Sequence, residues 1–167
     1  MERVFHSPRA VAGALSLAAC VTASAGVLAA SNGRIATLDE RIAGAQTVVV
    51  ASARSVNAGW RENTYGDRLI VSRVLLDVEE TLKGTASNGP IWMELEGGTL
   101  DGFTLHVSDL PDVHAGERAV FFLDQGDNGF SLPHLRGQGI LKLDRDNLVT
   151  GSSLRLDAIR TLARGRR

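Results

Sequence analysis

An intramolecular disulfide is excluded at the outset, because the 167-residue chain holds a single cysteine, Cys20. One thiol cannot close a disulfide, a CxxC redox pair or a thiolate metal cage, so packing must hold the fold together. Neither sign of charge dominates: 18 Lys and Arg stand against 19 Asp and Glu, a formal net charge of −1. Without a basic field, nucleic acid is not an expected partner. The sequence also contains no Gly-x-x-x-x-Gly-Lys-Ser/Thr or Gly-x-Gly-x-x-Gly run to cradle phosphates, and no cofactor is expected. A serine nucleophile needs a Gly-x-Ser-x-Gly elbow. The nearest approach, Gly151-Ser152-Ser153, lacks the second glycine, and Ser152 or Ser153 reads better as a helix cap. Aromatic residues are few, 5% of the chain, so any that stand on a surface are worth following.

What is present begins with an export signal over residues 1–30. Arg3 and Arg9 outweigh Glu2, and residues 10–19 then carry no charge and are rich in Ala, Leu and Val. Two processing routes compete. Ala23 and Ala25 place small side chains before a cut ahead of Gly26, with Val27 and Ala29 as a second such pair. Alternatively, Leu17-Ala18-Ala19-Cys20 is similar to the lipobox of bacterial lipoproteins, which would make Cys20 a lipid-bearing first residue. An uncleaved anchor is a third reading, although Ala, Gly and Ser contribute little insertion energy. The expected location is outside the cytoplasm: periplasmic, extracellular or lipid-anchored to the envelope. The membrane is touched only through the signal or a lipid on Cys20.

Residues 31–167 fit a single domain. Thr37-Leu38-Asp39-Glu40 has the pattern of a capping box, opening a short helix that Gly44 stops. Thr47-Val48-Val49-Val50-Ala51-Ser52-Ala53 reads as a strand covered on both faces. Residues 56–67, with Asn57, Gly59, Asn63 and Gly66, read as a polar loop or wide hairpin. A long alternation over residues 68–80 predicts a strand bent or bulged along a curved sheet. Ile91, Met93 and Leu95 form the apolar side of the next strand, and a hairpin to Phe103, Leu105 and Val107 turns at Gly97-Gly98 or at Asp101-Gly102. Ala119-Val120-Phe121-Phe122-Leu123 is the strongest central strand. Asp127-Asn128-Gly129 turns the chain into Phe130-Ser131-Leu132, and short strands follow at 140–143 and 148–150. Leu156, Ile159, Leu162 and Ala163 recur at helical spacing before Gly165.

The fold expected is mainly β: a small antiparallel barrel of the OB type, with a short N-terminal helix and a C-terminal helix. The succession Val48-Val49-Val50, Leu82-Lys83-Gly84, Gly97-Gly98 and Gly116-Glu117 before the apolar strand resembles a widespread set of uncharacterised exported bacterial proteins. Their core is similar to netrin and metalloprotease-inhibitor β-barrels. The resemblance implies an OB-type barrel but no particular activity. Those inhibitors lay a disulfide-bonded N-terminal cysteine against zinc, and this chain has no second cysteine to hold such a wedge.

Four groups of residues could carry chemistry. His106, Asp109, Asp112 and His114 crowd one inter-strand loop and are candidate metal ligands, without a recognised ligand spacing. Asp124, Asp127 and Asn128 are a weaker calcium-like set that a hairpin turn explains. Glu94 and Glu96 alternate with apolar residues and read as the solvated side of a half-buried strand. Trp60, Tyr65 and Trp92 could form an aromatic platform for a sugar or extended peptide. The function expected is therefore non-enzymatic surface binding to a protein or glycan of the envelope or extracellular space. The rival is a secreted metal-dependent hydrolase using the 106–114 loop.

Overall fold

A computed structural model describes residues 34–85 and 89–165; the leader, with Cys20 and every processing route read from it, lies outside the described residues. The architecture is mainly β with two helices. The first helix, α1 (Leu38–Gly44), is nucleated as its sequence dictates: the Thr37 hydroxyl accepts from the Glu40 amide at 3.2 Å, and the Glu40 carboxylate accepts from the Thr37 amide at 2.8 Å. At its other end the Lys83 ammonium donates to the carbonyls of Ile42, Ala43 and Ala45 at 2.6–2.8 Å. These are acceptors that a helix terminus leaves without partners.

Strands β1 (Thr47–Glu62) and β2 (Arg68–Lys83) form one long antiparallel hairpin. Residues 56–62, expected in a loop, are therefore strand. Their own alternation is weak, but each pairs with a β2 residue, and tertiary pairing overrides local preference. The true loop is short. Asn63 Oδ1 accepts from the amides of Tyr65 and Asp67, both at 2.9 Å, and Gly66 takes a left-handed φ of 86°. The expected bulges are present: the register shifts at Val48/Val49, Val50/Ala51 and Ala53/Ser55 bend the ribbon.

β3 (Ile91–Glu96) pairs with β2, and β6 (Arg118–Gln125) pairs with β1. Between them a separate hairpin, β4 (Gly98–Leu100) and β5 (Phe103–Leu105), turns at Asp101-Gly102. Both of those residues have positive φ, as a two-residue turn of this hand requires. The partner of β5 is thus β4, not β3. Gly97 and Gly98 mark the break between β3 and β4. A Cβ on Gly98 would stand 2.5 Å from Ser72 Oγ.

β7 (Ser131–Pro133) and β8 (Ile140–Lys142), separated by a 3₁₀ turn at Arg136–Gly139, both pair with β6. β7 also meets β3 in parallel through one pair, Met93 and Ser131. The pairings β1–β2–β3–β7–β6–β1 return to their start, but this narrow seam makes the architecture a six-stranded sheet curled on itself rather than a clean barrel.

Side-chain alternation on β1 and β6 divides the core. Val49, Ala51, Phe121 and Leu123 join Val74, Leu76 and Met93 inside the curl, whereas Val48, Val50, Val120 and Phe122 pack outward against Ile42, Leu156 and Ile159. The apolar runs of β6 and of the first half of β1 are covered on two faces, as their unbroken hydrophobicity requires. The outer layer is completed by α2 (Leu156–Arg164), preceded by Arg155 with no side-chain cap. Ser152 does not cap it; its hydroxyl accepts from the Leu154 amide in a local turn. Leu162 is exposed, and residues 148–150 contribute only isolated bridges.

Candidate functional site

The loop carrying the four candidate ligands runs along a cleft of about 390 Å³. Val56, Ala58 and Ser72 line it from β1 and β2, Thr99 and Thr104 from the small hairpin, and His106, Asp112 and His114 from the loop. Asp109 is turned elsewhere: its carboxylate pairs with Arg136, which holds its pKa below the usual carboxylate range. Among the described residues no three His, Asp or Glu side chains stand together as a metal-ion set. The calcium-like trio is dispersed as well. Asp124 accepts from Gln46 and lies 2.7 Å from His134 Nδ1, and Asn128 donates to Glu94.

Glu94 departs from its expected setting. Expected on a solvated face, it is only 2% exposed, the one buried charged residue among those described. Its carboxylate accepts from Arg61 Nη1 at 2.7 Å, Asn128 Nδ2 at 3.1 Å and Arg73 Nε at 3.2 Å. Alternation placed it correctly on the outer side of β3. The β6–β7 turn, which supplies Asn128, then closes over that side. Glu96, two residues on, stays half-exposed beside Arg61 at 3.8 Å and Arg136 at 3.1 Å.

The three aromatic residues do not form one platform. Trp60 pairs with Ile70 and Trp92 with Leu75. Ile70 and Leu75 lie an odd number of residues apart on an unshifted stretch of β2, so the two indoles occupy opposite faces of the sheet. Trp60 contacts Phe103 and carries the Arg68 guanidinium 4.7 Å above its ring, and Tyr65 projects alone from the hairpin tip.

Trp92 is 44% exposed and meets Phe130 edge-on, with ring centroids 6.3 Å apart. Arg73 lies 5.2 Å from the Phe130 centroid. Together with Asn128 and Gly129 these residues line an open notch of about 330 Å³. Sequence alone could not find it, because the β2–β3 register sets Arg73 beside Trp92 and only the β3–β7 seam brings Phe130 to them.

No protein-family model matches the chain, and no curated protein is similar to it.

What the notch can do follows from its parts. Glu94 fixes Arg73 through Nε and Asn128 through Nδ2, while Asn128 Oδ1 accepts from the Phe130 amide at 3.2 Å. The cation and the turn that carries Phe130 are therefore tied together by hydrogen bonds, with Trp92 packed edge-on against Phe130; such preorganisation lowers the entropic cost of binding. The cleft is the larger of the two spaces, but among the described residues its His and Asp side chains form no ion-binding set. Among the described residues no helix is long and apolar enough to cross a membrane.

Proposed function

We propose that this chain is an exported, non-enzymatic domain that binds a protein or glycan of the cell envelope or extracellular space through the outer face of β2 and β3. The observation that carries the reading is the preorganised notch of Arg73, Trp92 and Phe130 built over buried Glu94. The strand order supports it. Counting β1, β2, β3, β6 and β7 as five strands of a distorted OB-like barrel, the notch falls on the face of the second and third strands, beside the loop joining the fourth and fifth. Barrels of that type bind ligands on this face. The charged, apolar and small-residue blocks of the leader support export.

The test is a screen of the purified mature domain against immobilised glycans and displayed peptides. Ligands retained by the native chain are expected to be lost by Trp92→Ala and kept by Trp60→Ala, since the two indoles lie on opposite faces. Equal retention by both variants would overturn the assignment of the face.

A further inference from the structure

We infer that the notch takes an extended peptide, with a carboxylate side chain on Arg73 and a neighbouring apolar side chain on Trp92. This rests on the reading above and names the ligand class for the same site. Three observations carry it.

First, Arg73 is anchored through Nε alone, and among the described residues no acceptor meets its Nη atoms. A guanidinium held by one edge offers the other to a planar carboxylate, in the geometry that makes paired, charge-assisted hydrogen bonds. Its anchor does not neutralise it fully, because Glu94 is shared with Arg61. Asp127, the acidic residue in the adjacent turn, does not line the notch.

Second, the rest of the lining is apolar or already committed. The Asn128 side chain is occupied by Glu94 and the Phe130 amide, leaving Trp92 and Phe130 as the remaining side-chain surface. A neutral sugar needs both donors and acceptors for its hydroxyls, whereas the open polar group of this notch, the Arg73 guanidinium edge, only donates. One carboxylate beside one apolar group matches what is on offer.

Third, the volume of about 330 Å³ and its openness on a strand face suit two side chains of a peptide lying along the sheet.

The experiment uses the mature domain carrying Trp60→Phe, which leaves Trp92 as the only indole of the two in the chain. Its emission is titrated with a capped peptide alternating Glu and Leu, with the Gln counterpart, and with a uronate oligosaccharide. The Glu peptide is expected to saturate the signal, with the Gln peptide about tenfold weaker or more. Arg73→Gln should bring the two peptides level. Equal affinity of the Glu and Gln peptides for the unsubstituted notch overturns the inference without recourse to the Arg73 variant. Tighter binding of the uronate than of the peptide overturns the peptide assignment and leaves the binding face standing. Silence toward all three overturns the inference, and if Trp92→Ala also keeps every ligand found in the screen the binding face falls with it.

Discussion

At the residue scale, two side chains hold more than their surroundings suggest. Glu94 is buried against two guanidinium groups and an amide, so removing its charge strands Arg61 and Arg73 near the seam. Breaking such a buried pair costs about 3 kcal/mol, at the lower end because both arginines are partly exposed. Urea denaturation of Glu94→Ala should show that loss. Glu96→Ala, whose ion pairs are half-exposed, should lose less than about 1 kcal/mol. Lys83 is the second. It ties three carbonyls at the end of α1 with no carboxylate partner among the described residues, and Lys83→Met is expected to destabilise the domain by about 2 kcal/mol in the same measurement. The Leu82-Lys83-Gly84 run thus has a physical reading. Leu82 fills the outer core, Lys83 caps α1, and Gly84 takes a φ of 91° where a Cβ would stand 2.9 Å from the Gln46 carbonyl.

At the element scale, α1 depends on its cap. The Glu40 carboxyl is lowered from 4.5 to about 2, chiefly by the Thr37 amide and then by the Arg34 guanidinium. A carboxylate with a depressed folded pKa stabilises fully above its ordinary value, and that contribution is lost as pH falls toward the folded one. The protection of the α1 amides, taken relative to their intrinsic exchange rates, should therefore fall between about pH 4.5 and pH 2, and Glu40→Gln, which keeps a neutral reach-back acceptor, should remove that acid step. Protection that is flat across this range would contradict the cap. The helix is also seated by shape: a Cβ on Gly44 would fall 2.4 Å from His134 Nε2, so Gly44→Ala should loosen α1 at every pH. These local features were legible in the sequence because a capping box, an apolar run and a turn pair are each decided by neighbours within a few residues. The outer half of β1, the partner of β5 and the start of α2 were not. Each depends on a pairing or packing partner far along the chain, and Ser152 offered a cap signal that a local turn absorbed.

At the scale of the whole molecule, the mainly β class and the two flanking helices follow from hydrophobic patterning, and the doubly covered β1 and β6 are its clearest product. The candidate site was legible only in fragments. Trp92 was visible as a surface aromatic, but its partners Arg73 and Phe130, and its separation from Trp60, depend on strand register. Glu94 was placed on the correct side of its strand, and only the turn folding over that side buries it. His106, Asp112 and His114 do share a cleft, yet their backbone spacing on one loop leaves them unassembled as a ligand set.

The account as a whole rests on a chain that crosses its membrane and then binds. Mass spectrometry of the protein recovered from fractionated native cells tests this most directly. The account predicts a shortened chain outside the cytoplasm, beginning at a lipid-modified Cys20 or at a residue just beyond Ala25 or Ala29. An intact chain beginning at Met1 and confined to the cytosol would contradict it.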